Sequence, residues 1–251
     1  MIAIVDALQG GSNFNLKAYG LIVRLLNVDD PLKWAIKSGK SKDGRDFSVN
    51  ASRIKPSSLG SPSRNFKSGP IIVYPGFESQ ALAVINAYGN NVRVYQMSSS
   101  KNIEIYADLM HKPKAAVLNN GGKADIHKDI YSDAGLTLNT HYVQENSAAN
   151  INGNSCYTFV SSPHTKPNQV NSSYKTNIAN FLQDGGNFLG QCEAVEAYAG
   201  LGLLATYQSK NSGGNESYSN HSEPFAQFMD DLRDENCSVI DFKFTSNPGK
   251  K

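Results

Sequence analysis

Cysteine is scarce in this chain, with three in 251 residues at positions 156, 192 and 237. No two of them form a Cys-x-x-Cys pair, so neither a disulfide framework nor a structural zinc site is expected. The five histidines, His111, His127, His141, His164 and His221, are dispersed without metal-ligand spacing, and the sequence calls for no metal and no cofactor. No apolar run approaches the roughly 20 residues of a membrane helix, which excludes a helical membrane span. The first residues carry no basic segment or small-residue cleavage site of a secretion signal. That places the chain in the cytoplasm by default, or outside the cell if it is cut from a longer protein. Neither a Gly-x-x-x-x-Gly-Lys-Ser/Thr nor a Gly-x-Gly-x-x-Gly phosphate-binding pattern occurs, and there is no internal repeat.

What is present suffices for a real core: 39% of the residues are apolar, enough for one large or two small domains. Basic and acidic side chains nearly balance, 24 against 22, for a formal charge of +2. Residues 1–100 nevertheless carry 12 basic against 6 acidic, concentrated between Lys33 and Lys67. Lying among Ser and Gly, with aromatics not interleaved to stack bases, this excess reads as a solvated loop face and not as a nucleic-acid surface. The Asn-x-Ser triplets, Asn50, Asn171, Asn215, Asn220 and Asn236, follow from an Asn- and Ser-rich composition.

Short apolar runs alternate with amphipathic stretches, the pattern of an α/β fold with a mostly parallel sheet and helices on both faces. The first portion, residues 1–112, reads as strand 2–6, helix 14–27 with a stripe of Leu16, Tyr19, Val23 and Leu26, strand 33–36, a basic loop 38–69, strand 70–75, helix 78–88 and strand 91–96. The lone Trp34 is expected in the core. The second portion, residues 113–251, reads as strand 114–119, helix 124–134, strand 139–144, strand 156–161, helix 171–183, strand 187–191, an Ala-rich helix 193–205, a polar loop, a short helix 224–233 and strand 238–244. The two portions could equally form one continuous domain.

The segment with chemical content runs from Gly185 to Glu196. Its Gly190-Gln191-Cys192 step, between an apolar strand and a helix, has the layout of a nucleophile elbow, a tight turn that lifts one side chain clear of the sheet edge. A helix start favours a thiolate, whereas Glu193 and Glu196 in the first turn oppose one. His164 follows a strand expected beside that of Cys192, which brings it to the carboxyl edge where open α/β sheets bind ligands. Asn119-Asn120-Gly121-Gly122 reads as a structural turn, and Asp125 and Asp129 as a solvated helix face.

Over roughly residues 113–205 this order of elements, with Phe188-Leu189-Gly190-Gln191-Cys192 entering a helix, resembles the class I glutamine amidotransferase-like superfamily on a flavodoxin-like fold. The resemblance implies Cys192 as a nucleophile toward an amide carbonyl, a histidine base, and an acidic residue that follows it. His221 and Glu223, in His221-Ser222-Glu223, match the latter two, with His164 an equal candidate for the base and the backbone at Gln191 and Glu193 as part of an oxyanion hole. The chain departs from the family pattern at Ala194, where the family has glycine, at Ser161-Ser162-Pro163-His164, where it has Pro-Gly-Gly, and in the 29 positions between Cys192 and His221. Two functions follow: a cysteine hydrolase of a small-molecule or peptide amide, or a non-catalytic module of a surface or secreted protein that binds through the same edge loops. Neither reading defines an oligomeric state.

Overall fold

The computed structural model describes residues 2–4, 15–60, 62–153, 155–199, 207–212, 220–227 and 239–244. The chain divides into two compact units, one of residues 1–112 with 215–233 and one of residues 113–214 with 234–251.

The first unit carries β1 (Ile2–Ile4), α1 (Lys17–Leu26), β2 (Leu32–Trp34), β3 (Arg45–Lys55), β4 (Ser63–Lys67), β5 (Ile71–Val73), α2 (Glu78–Tyr88), β6 (Val94–Met97) and β7 (Ala107–Leu109). Its seven strands form one sheet in the order β4-β3-β6-β1-β5-β2-β7, with every pair antiparallel. The expected mostly parallel sheet is therefore corrected for this half. Strand β5 shows why the sequence misleads. All three of its residues are buried, Ile71 and Val73 among residues of α1 and α2, Ile72 in a cluster with Phe47, Phe66 and Tyr95. A short strand covered on both faces reads as an apolar run whichever way its neighbours point.

The basic 38–69 stretch is another correction, since half of it is the antiparallel pair β3 and β4. Phe47, Val49 and Ala51 point inward at a period of two, diluted by the Ser, Asn and Arg that face outward. Phe47 stacks on Phe66 with centroids 4.8 Å apart, and Phe66 meets Tyr95 edge-on at 5.4 Å. The buried face of α1 is Ala18, Leu21, Ile22, Leu25 and Leu26; of the expected stripe Leu26 is buried and Tyr19 packs partly buried against the same core, while the rest of the face lies one step round the helix. Trp34 is only partly buried, donating its indole N–H to Gly69 O at 2.9 Å.

The second unit carries β8 (Ala115–Leu118), α3 (Asp125–Asp133), β9 (Tyr142–Glu145), β10 (Phe159–Ser162), α4 (Ser172–Gln183), β11 (Asn187–Gly190), α5 (Glu193–Ala197), β12 (Tyr207–Ser212) and β13 (Val239–Phe244). Strands β8 to β11 form a parallel sheet ordered β11-β10-β8-β9. Alternate residues of β8 enter opposite layers: Ala116 and Leu118 join Ile178 and Phe181 of α4 and Ala194 and Ala197 of α5, while Ala115 and Val117 join Ala124 and Tyr131 on the α3 side. Helices thus flank this sheet, as the α/β pattern predicts. The expected 193–205 helix is shorter, ending at Ala197, with 200–206 outside the described residues. Of the expected 224–233 helix, residues 224–226 form one 3-10 turn and 228–233 lie outside the described residues. The polar loop before it contains β12, paired antiparallel with β13.

Candidate functional site

Strands β10 and β11 run side by side with Ser162 opposite Gly190, so the chain leaves both at one carboxyl edge. After β8 the chain places β9 on one side and β10 on the other, and the carboxyl edge at such a reversal is where open α/β sheets form crevices. The turn after β10 is held tightly. Ser162 Oγ lies 2.9 Å from Thr165 Oγ1, both residues being buried, and Gly121 packs against the turn from the loop after β8. A Cβ on Gly121 would come within 2.6 Å of His164 O and 2.9 Å of Thr165 Cα, so only glycine permits this approach. His164 is fixed between these contacts.

The elbow follows β11. Gln191 N–H donates to Ser162 O at 3.0 Å, extending the ladder one residue past Gly190. Cys192 then reverses the chain at φ 56°, ψ −133°, a conformation that a residue with a Cβ adopts only under strain. Ala194 N–H donates to Gln191 O and Val195 N–H to Cys192 O, both at 3.1 Å, and α5 begins. Among the described residues the N–H groups of Cys192 and Glu193 have no acceptor.

These two turns bring three reactive groups together. Cys192 Sγ lies 3.1 Å from His164 Nδ1, and His164 Nε2 lies 3.1 Å from Glu193 Oε2. For Nδ1 to present its lone pair to the thiol, a neutral ring must carry its proton on Nε2, the nitrogen that faces Glu193. Glu193 Oε2 makes no hydrogen bond of acceptable direction, so its charge pairs with the ring only once the ring is protonated. His164 and Glu193 are each about one-third exposed, which leaves the group accessible from solvent.

Under the elbow sits a histidine that sequence spacing leaves isolated. His127 of α3 is buried, with Nδ1 2.9 Å from Ser161 Oγ and Nε2 2.5 Å from Gln191 Oε1. Burial holds its pKa below the ordinary histidine value, the bond to Gln191 working in the opposite direction. The signal that could have found it is the stripe Ala124, His127, Tyr131 and Ala134, a buried helix face at i, i+3, i+7, i+10, while Ile126 and Ile130 of the same helix stand exposed. Nearby, Asn120 Nδ2 donates to Tyr198 Oη at 3.2 Å, and burial pushes the Tyr198 phenol up to about 12.

The remaining sequence candidates sit elsewhere. His221 and Glu223 belong to the first unit, where His221 O accepts from Gln227 Nε2 and the Glu223 carboxylate accepts from Asn220 Nδ2 at 2.9 Å and Tyr106 Oη at 3.2 Å. The Gln191 backbone N–H, expected in an oxyanion hole, is committed to Ser162 O. Glu193, expected to contribute only its backbone, also places its carboxylate beside His164. Cys156 is exposed at the opposite, amino edge of the sheet, lining a pocket of about 260 Å³ with Tyr157, Phe181 and Asp184. Cys237 lies outside the described residues. Among the described residues no group of three or more His, Cys, Asp or Glu could hold a metal ion, and no helix is long and apolar enough to cross a membrane.

No protein-family model, curated protein or solved structure matches this chain.

Proposed function

We propose that the second unit is a cysteine-dependent hydrolase of an amide or related carbonyl, on a flavodoxin-like fold that resembles the class I glutamine amidotransferase-like superfamily. The observation that carries this reading is the 3.1 Å approach of His164 Nδ1 to a Cys192 held at a strained strand-to-helix turn. Strain at one residue persists only where its surroundings enforce it, and it collects at working sites. The strand order β9-β8-β10-β11 also suits a flavodoxin-like sheet.

In this mechanism His164 Nδ1 takes the thiol proton as Cys192 Sγ attacks the substrate carbonyl carbon. A C–S bond forms and the carbonyl π pair moves to oxygen, where Glu193 N–H, the residue after the nucleophile, donates to it. The carboxylate of Glu193 stabilises the imidazolium. The oxyanion collapses, the C–N bond breaks, and His164 returns its proton to the leaving amine. Water then attacks the thioester, giving up a proton to His164, and the carboxylic acid leaves with the thiol restored.

Alkylation by iodoacetamide, read residue by residue by peptide mapping, tests this. Cys156 is an exposed thiol on the same chain and serves as the internal reference. Cys192 should react at least about tenfold faster than Cys156 and lose that advantage in His164→Ala, since a positioned base contributes roughly 10² to 10⁴. His221→Ala should leave it unchanged. A Cys192 no faster than Cys156 in the native protein would refute the nucleophile. That outcome would favour the second reading, a non-catalytic binding module, which draws on the commitment of Gln191 N–H to the sheet and the loss of that backbone donor.

A further inference from the structure

Gln191 immediately precedes the nucleophile, and its side chain is held at one end only. Its Oε1 receives the 2.5 Å contact from His127 Nε2, while Nε2 of the carboxamide has no partner among the described residues. The direction of the chain of bonds is fixed by chemistry. An amide oxygen cannot donate, so His127 carries its proton on Nε2 and gives it to Gln191 Oε1. With that nitrogen protonated, a neutral ring must accept at Nδ1, and the hydroxyl of Ser161 is the donor 2.9 Å away. Ser161, His127 and Gln191 therefore form a polarised relay, Oγ–H to Nδ1, Nε2–H to Oε1, running from a buried strand residue to the surface. Each bond in such a relay strengthens the next, and withdrawing electron density at Oε1 makes the amide N–H₂ a better donor.

From this we infer that the Gln191 carboxamide is an oxyanion donor of the Cys192 site, supplying from a side chain what the committed Gln191 backbone N–H cannot, and that His127 is its positioning residue. This rests on the nucleophile reading of Cys192 given above. The substrate class it selects is one whose carbonyl oxygen gains full negative charge on attack, an acyl carbon bearing an amide or ester leaving group. Nothing in the relay assists attack on an electrophile that forms no oxyanion.

That difference supplies the test. The full chain is treated with p-nitrophenyl acetate, in which sulfur attacks the acyl carbon and expels p-nitrophenolate through an oxyanion, and separately with 2,2′-dithiodipyridine, in which sulfur attacks sulfur and expels a pyridinethione without one. Modification at Cys192 is followed by peptide mapping. Gln191→Met keeps the length of an exposed side chain and removes the donor. It should slow acylation by about 10² or more, the cost of one lost oxyanion donor, and leave disulfide exchange within about twofold. His127→Phe should slow acylation by about tenfold with the same selectivity, and the double variant should be no slower than Gln191→Met alone, because the two act as one unit. A merely structural role for His127 would slow both reagents together. If the unaltered protein is acylated at Cys192 but Gln191→Met changes neither reaction, or both alike, the carboxamide is not the donor and the nucleophile reading survives. If Cys192 of the unaltered protein resists both reagents, the nucleophile reading falls and the inference falls with it.

Discussion

Replacing Cys192 by glycine should make the protein more stable than replacing it by alanine, although both remove the thiol. Alanine keeps the Cβ that φ 56°, ψ −133° disfavours, and glycine removes it. Strained backbone of this kind costs roughly 1–3 kcal/mol per residue, and glycine gives back about 0.5–1 kcal/mol by loosening the unfolded chain. Loss of Sγ is common to both variants and cancels. The difference left is about 1 kcal/mol in favour of Cys192→Gly, which urea unfolding followed by far-UV circular dichroism resolves as a shift in midpoint at unchanged slope. Ala194→Gly, two residues on inside α5 and fully buried, is the control of opposite sign: its Cβ packs and its backbone is helical, so glycine there should cost about 1 kcal/mol. An alanine variant at 192 as stable as the glycine variant would show that the turn is unstrained. The elbow would then lose its significance, since a relaxed turn needs no function to explain it.

Two further outcomes test the first unit. Asp30 is fully buried, neither carboxylate oxygen has a hydrogen-bond partner among the described residues, and burial, with the charge of Glu78 beside it, raises its pKa from 3.8 to about 6. A raised carboxyl favours the protonated native state, so its contribution is fully present below about pH 3.8 and is lost as pH rises through about 6. Stability should fall over that window by at most about 3 kcal/mol, and Asp30→Asn should flatten that part of the pH–stability curve; an unaltered curve would contradict the assignment. Lys40 Nζ pairs with Asp46 Oδ1 and with Gln227 Oε1, each at 2.6 Å, and both charged side chains are almost wholly buried. Lys40→Met leaves Asp46 with only the Lys37 and Gly69 N–H groups among the described residues and should cost about 3 kcal/mol by urea unfolding. A loss under about 1 kcal/mol would mean that those two backbone donors satisfy the carboxylate unaided.

What was legible in the sequence is what the chain carries locally. The α/β alternation of the second unit, helix 78–88 and the elbow's frame, a strand ending just before Cys192 and a helix opening at Glu193, all rest on residues within one or two turns of each other. Strand direction is not local. Ile71-Ile72-Val73 would be the same apolar run in a parallel or an antiparallel sheet, and only its pairing with Ile4 and Ala3 on one side and Trp34, Lys33 and Leu32 on the other decides between them. The same division runs through the candidate site. The register of β10 against β11 is what sets His164 beside Cys192, and the residues concerned stand 28 positions apart. The sequence holds His164 and His221 as equals because one follows a strand expected beside that of Cys192 and the other matches the family's His-x-Glu, and neither signal fixes a distance to the thiol. His127 was harder still, since its partners Ser161 and Gln191 are 34 and 64 positions away and each is an ordinary surface-type residue in isolation. Only the helix stripe could have betrayed it, because a histidine among Ala124, Tyr131 and Ala134 must bring both ring nitrogens to partners or bear the cost of burying them bare. A buried polar residue on an apolar stripe therefore says that partners exist, and the fold has to say which.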